Sequence, residues 1–126
     1  MCLFLKMEKQ SNLLGLHKLL TLQVSNQNKL VDLLTFVNFT DKLLVKYHLE
    51  KVGNTSFVFE NGSFTIAYCL KESHICVHTW PEINKLTMDV YLCNYSTDNT
   101  NKVREISEEI VDFFEAEIIS SNEIFR

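Results

Sequence analysis

The stretch SFTIAYCLKESHICVHTW (Ser63–Trp80) holds two apolar alternations back to back, and its reading decides the fold. Residues two apart on a strand share a face. Phe64, Ile66, Tyr68 and Leu70 therefore point one way, and Ser63, Thr65, Ala67 and Cys69 the other. Beyond the polar residues that follow, Ile75, Val77 and Thr79 oppose Cys76, His78 and Trp80. The same rule sets Leu86, Met88, Val90 and Leu92 against Thr87, Asp89, Tyr91 and Cys93. Each strand thus has one aliphatic face, suited to packing under helices, and one face of polar and reactive groups. Thr65, His78 and Cys93 can share that second face, which makes it the first place to look for a site.

Working outward, GLHKLLTLQVS (Gly15–Ser25) alternates partially and reads as a strand, with NQN behind it as a turn or helix entry. From about Val31 to Val52, Leu33, Phe36, Val37, Leu43, Leu44 and Tyr47 recur at helical spacing, with Gly53-Asn54 as the stop. Asn38–Asp41 is where that helix could break or bend. Strand signals then follow at Thr55–Glu60, Ser63–Leu70, Ile75–Trp80 and Leu86–Cys93. ENG supplies a tight turn between the first two, and PEINK joins the last two. STDNTN reads as loop and cap. A second helix sets Val103, Ile106, Ile110, Val111 and Phe114 against Arg104, Glu105, Glu108 and Glu109, and AEIISS closes the chain as a short strand. The order β-α-ββββ-α-β predicts an α+β fold: an antiparallel β-sheet with two main helices packed on one face, a two-layer α/β sandwich.

At 126 residues the chain is expected to form a single domain, 1–126, with residues 1–12 as a loose extension and Met7 as an alternative start. The 46% apolar and 22% charged composition is that of a soluble globular protein. A net charge of −4 argues against nucleic acid or an anionic membrane as the main partner. Cys2, Cys69, Cys76 and Cys93 form no CxxC pair, and MCLFLK has neither a basic flank nor a small-residue cleavage site. Reduced thiols and a cytoplasmic location are the expectation.

Taken singly, the reactive residues support little. His74-x-x-x-His78 would align two imidazoles on a helix but spans two pleats on a strand, and no third ligand stands at an obvious spacing, so a metal is not expected. Ser73 lies in no G-x-S-x-G elbow. A lone cysteine is more often a small buried hydrophobe than a catalyst. The acidic run Glu105–Glu109 reads as a solvated face.

Together they say more. ESHICVHTWPE (Glu72–Glu82), followed by Asp89 and Cys93 in MDVYLC, resembles the short prokaryotic S-adenosylmethionine decarboxylase proenzymes, a likeness that thins upstream through FENGSFT to GLH. That resemblance implies self-cleavage between Glu72 and Ser73. The Ser73 hydroxyl attacks the Glu72 carbonyl, the resulting ester eliminates, and hydrolysis leaves a pyruvoyl group in place of the serine. It assigns His78 as the base of processing and Thr65, where the family more often has serine, as its supporting hydroxyl. Cys93 becomes the acid that reprotonates the decarboxylated substrate, and Asn94 stands where glycine is usual. A pyruvoyl cofactor, forming a Schiff base with the substrate amine, replaces pyridoxal phosphate, and no metal is implied. Phe59 and Trp80 match the rings that stack adenine, and Glu82 the carboxylate that holds the ribose.

The resemblance implies decarboxylation of S-adenosylmethionine for spermidine synthesis, by a homodimer with active sites near the interface. The alternatives are a pyruvoyl-dependent decarboxylase of ornithine or arginine, and a non-catalytic regulatory paralogue.

Overall fold

The computed structural model describes residues 14–95 and 97–126; the expected loose extension at 1–12 lies outside them. Six strands form one sheet in the order β2-β3-β4-β5-β1-β6. They are β1 (Leu16–Gln23), β2 (Lys51–Val58), β3 (Phe64–Leu70), β4 (Ser73–Trp80), β5 (Lys85–Leu92) and β6 (Glu117–Phe125). Every neighbouring pair is antiparallel. Helices α1 (Leu33–Lys46) and α2 (Thr100–Phe113) cover one face. The α+β two-layer architecture and the element order read from the sequence are those observed.

Strand parity works as expected. Phe64, Ile66, Tyr68 and Leu70 are buried, as are Ile75, Val77 and Thr79, and Leu86, Met88, Val90 and Leu92. They meet Phe36, Leu43 and Leu44 of α1 and Val103, Ile106 and Ile110 of α2. Phe36 stacks on Phe114 at 5.5 Å and tilts against Phe64 at 5.9 Å. Burying each large apolar side chain contributes about 1.5–3 kcal/mol, so this layer sets the stability of the whole. Outside it, Glu123 of β6 accepts from Lys18 of β1 and from Arg104 of α2. These partners, Arg104 first, hold its carboxyl well down, at about 2. Among the described residues no helix lies on the opposite face of the sheet.

The boundaries refine the sequence reading in several places. A short 3-10 turn, Gln27–Val31, precedes α1, and Asn26 caps it through Asn28 N–H at 3.1 Å. Asp32 then caps α1 itself, accepting from Thr35 N–H at 3.1 Å. Asn38–Asp41 does not interrupt α1, because Thr40 turns into the core while Asp41 faces out to Lys51 at 3.0 Å. The helix ends at Lys46, not at Gly53-Asn54. His48 takes the left-handed conformation (φ 57°) usually given to glycine, and Leu49 N–H reaches back to the Leu44 carbonyl at 2.9 Å. Gly53 lies inside β2, at an irregularity in its pairing with β3. Finally, β4 begins at Ser73, not Ile75, and β6 runs nine residues to Phe125 instead of ending as a short strand.

Thr79, inside the reactive run, is a structural tie. Its buried hydroxyl donates to the Leu30 carbonyl at 2.7 Å and accepts from Phe64 N–H at 2.9 Å. Valine has the same shape but would leave both backbone groups unpaired. Thr79→Val is expected to lower unfolding free energy by about 1–3 kcal/mol, read from the urea midpoint at unchanged m-value. An unchanged midpoint would refute the assignment.

Candidate active site

The β3–β4 hairpin organises the chemistry. Leu70 pairs with Ser73, so Lys71-Glu72 is a two-residue loop, and every later pair follows from it. Thr65 thereby stands opposite His78 on the face without helices, and Thr65 Oγ1 hydrogen-bonds His78 Nδ1. That bond orients the imidazole and leaves Nε2 available. Both residues line a cavity of about 500 Å³ with Phe59, Trp80 and Glu82. This volume lies in the range of small-molecule sites. Phe59 and Trp80 are about half exposed, and Phe57 meets the Phe59 ring edge-on at 4.8 Å. Asn61, in the ENG turn, donates to Glu82 Oε2 at 3.0 Å and so fixes the carboxylate at the rim. Sequence reasoning misses Asn61; its only signal is a place in a turn that faces the PEINK connection.

A second group gathers at the far end of β4. Cys93 N–H donates to Ser73 Oγ at 3.1 Å, and Cys93 Sγ lies 3.8 Å from Glu72 Oε2. The Ser73 hydroxyl, the Glu72 carboxylate and Cys93 are thus adjacent. Asn99 holds this corner by donating its side-chain N–H to the Cys93 carbonyl at 2.8 Å. Asn94, where the resemblance leads one to expect glycine, takes no positive φ here. Its amide instead bridges Asn99 N–H at 2.8 Å and the Leu14 carbonyl at 2.9 Å. Glycine is required at position 15, where an added Cβ would lie 2.3 Å from the Leu92 carbonyl oxygen.

Cys69 and Cys76 are free thiols, and burial, then Asp89, raises the Cys76 pKa.

One strand separates the two groups. Ser73 and His78 stand at its opposite ends, about 16 Å apart at the usual rise per residue. The structure therefore assembles Glu72, Ser73 and Cys93 in one place, and Thr65, His78, Phe59, Trp80 and Glu82 in another. It does not bring the two sets together within one chain.

The sequence model of the S-adenosylmethionine decarboxylase family matches residues 16–126, which include all of these positions. The chain belongs to that family. Its relatives include S-adenosylmethionine decarboxylase proenzymes of Pyrobaculum islandicum, 50% identical over 50 residues, and Aquifex aeolicus, 37% identical over 81 residues. The first alignment takes in 40% of this chain and 39% of the relative, the second 64% and 59%. The chain thus spans about two fifths to three fifths of the length of these curated relatives. The crystal structure of the adenosylmethionine decarboxylase from Aquifex aeolicus shares the fold, with a TM-score of 0.73 at 23% identity over 91% of this chain and 90% of that one.

Proposed function

We propose that this chain is a self-processing, pyruvoyl-dependent decarboxylase of S-adenosylmethionine that works as a homodimer and supplies the aminopropyl donor for spermidine. Family membership supports the reaction class. One observation carries the mechanism: Ser73 Oγ, the Glu72–Ser73 bond and Cys93 meet at one corner of the sheet.

Maturation uses residues of the chain alone. Ser73 Oγ attacks the Glu72 carbonyl carbon, the C–N bond breaks, and the Ser73 nitrogen leaves as an amine joined through an ester. A base removes the Ser73 α-proton, the Glu72 carboxylate departs, and the resulting enamine takes up water and releases ammonia. The Cys93 N–H fits the start of this sequence, since it fixes the Ser73 oxygen beside the bond to be cut. Scission at the first residue of β4 leaves the rest of the strand in its ladder. When formed, the pyruvoyl group supplies the electron sink for loss of CO₂ from an α-amino acid, so neither pyridoxal phosphate nor a metal is required.

The base must come from elsewhere, because His78 of the same chain is a strand length away. A twofold axis in the plane of the helix-free face, perpendicular to β4 at its middle, exchanges the two ends of that strand. Ser73 of one protomer then faces His78 of the partner subunit, and the pocket beside that histidine opens on the cleavage corner. Pairing through the sheet edges would not achieve this, since β4 lies two strands in from β2 and three from β6. Among the described residues the helix-free face has no cover, and it carries the half-exposed Trp80, apolar surface that pairing would bury. In the joined site, Phe59 and Trp80 offer ring faces to adenine and to the sulfonium charge, Glu82 accepts from ribose hydroxyls, and the reduced Cys93 thiol donates the proton to the decarboxylated carbon.

A cytoplasmic location is part of this proposal; among the described residues no helix is long and apolar enough to cross a membrane.

CO₂ release from S-adenosylmethionine, ornithine and arginine, assayed under a thiol reductant, tests the substrate. Preference for a basic amino acid would overturn the nucleoside assignment; no release from any of the three would indicate a regulatory paralogue. Cys93→Ala is expected to mature normally yet lose at least about 100-fold in kcat, as for removal of a general acid. Retention of full turnover would remove Cys93 from the mechanism.

A further inference from the structure

Between the two halves of the site lies a cluster that no step above uses. His17 Nε2 and His74 Nε2 each lie 2.8 Å from the same oxygen, Asp89 Oδ2. The three come from β1, β4 and β5, neighbours in the order β4-β5-β1. The two imidazole planes are perpendicular at a centroid separation of 5.3 Å. Tyr91 packs against both rings, at 5.5 and 5.7 Å, and restrains their orientation. All three ligand atoms lie within 4.8 Å of one another. The side chains are 12%, 39% and 26% exposed, so the cluster is partly desolvated but open on the helix-free face.

We propose that His17, His74 and Asp89 form a site for one divalent cation of the zinc class in each protomer. Two imidazoles and one carboxylate are the donors that such ions take, whereas magnesium and calcium prefer an all-oxygen shell. Bonds of about 2.0–2.1 Å to a tetrahedral ion put its ligand atoms about 3.3 Å apart. The two nitrogen–oxygen edges need to open by about half an ångström from their hydrogen-bonded 2.8 Å, and all three ligand atoms already lie within 4.8 Å of one another. The fourth position faces away from the sheet and is left for water or for a group across the helix-free face. The pair His74–His78, judged from spacing alone, could not have formed this site: the ligands that complete it are on other strands.

Its placement gives the ion a mechanical effect. His74 directly follows Ser73, so a bound cation ties the leading end of β4 to β1 and β5. Once the Glu72–Ser73 bond is cut, that end is a chain terminus held by its ladder and by this clamp. The ion takes no part in catalysis.

The test uses protein stripped with a chelator and kept reduced, titrated with zinc by calorimetry, and with cobalt(II) as a spectroscopic probe. The expected result is one zinc per protomer, with cobalt giving visible ligand-field bands and no thiolate charge-transfer band in the near ultraviolet. His17→Gln and Asp89→Asn should each weaken zinc at least about tenfold, since loss of an outer-shell partner alone costs that much. Cys76→Ser should leave binding unchanged. The uncleaved Ser73→Ala protein should bind as well as the mature one, because the ligands converge before scission; this separates failure of the metal site from failure of maturation. Absence of zinc binding to wild-type protein would overturn the proposal and leave the cluster as a hydrogen-bonded tie. So would a thiolate band, or zinc affinity that survives in both ligand variants while Cys76→Ser abolishes it. The wild-type cobalt spectrum decides the matter even if a ligand variant does not fold.

Discussion

Ser73→Ala is expected to remain one unbroken chain of 14.7 kDa, while wild-type protein resolves by intact mass into Met1–Glu72 and a second fragment beginning at position 73. The effect is total, because the proposed scission starts from the Ser73 hydroxyl: Ser73 Oγ is the atom held by Cys93 N–H at 3.1 Å. The change is small in folding terms. Ser73 is half-buried at the first position of β4, and alanine forfeits one hydrogen bond, a net loss of about 1 kcal/mol. A cooperative unfolding transition near that of wild type would show that the fold is intact. The wild-type second fragment should resist sequential N-terminal degradation and react with hydrazine, since it starts with a ketone and not an amine. Cleavage of the alanine variant, or a wild-type chain that stays whole after prolonged incubation, would end the proposed mechanism.

Co-expressing Ser73→Ala with His78→Ala should restore cleavage that neither variant shows by itself. Each homodimer lacks one half of every site. In the mixed dimer, the intact Ser73 of the His78→Ala chain meets His78 of the partner subunit, and the His78→Ala chain is cut. With random pairing of equally abundant chains, about half of the His78→Ala chains find such a partner, so cleavage should approach that fraction and not exceed it. Removal of a general base typically slows a step about 10²–10⁴-fold, which leaves a wide window between the homodimer and mixed-dimer rates. Were His78 to act within its own chain, it would have to cross about 16 Å of strand, and the mixed dimer would stay silent. That silence, with mixed dimers shown to form by differential tagging, would refute the shared site.

Several features are legible in the residues alone, each through a local physical rule. Alternation along Phe64–Leu70 and Leu86–Leu92 identifies the buried face because successive side chains on a strand must point to opposite sides. Two amphipathic segments and a run of short strands joined by hairpin-length connections leave few antiparallel arrangements open. Residues mislead where tertiary context overrides their usual meaning. Gly53 looks like a helix stop but serves a strand irregularity, while His48 accepts the left-handed conformation that closes α1. Thr40 keeps α1 continuous because its side chain is buried against the core. The Thr65–His78 pairing is within reach of the sequence, since the two residues are equidistant from the Lys71-Glu72 turn. Starting β4 at Ile75 hides it, because the loop length is then undefined.

By itself, the order of residues determined the strand faces, the two-layer architecture, the family likeness and the positions most suited to chemistry, since all of these depend on neighbours within a few residues or on a contiguous motif. Only the tertiary structure decided which of those residues meet. Ser73 and Cys93 come together because β4 pairs with β5, and Ser73 and His78 stay apart because an extended strand is rigid over its length. His17 reaches His74 and Asp89 because β1 inserts beside β5, a pairing across more than sixty residues that no local pattern encodes. Distances along a chain carry information about faces and turns; distances through space are set by which strands find one another.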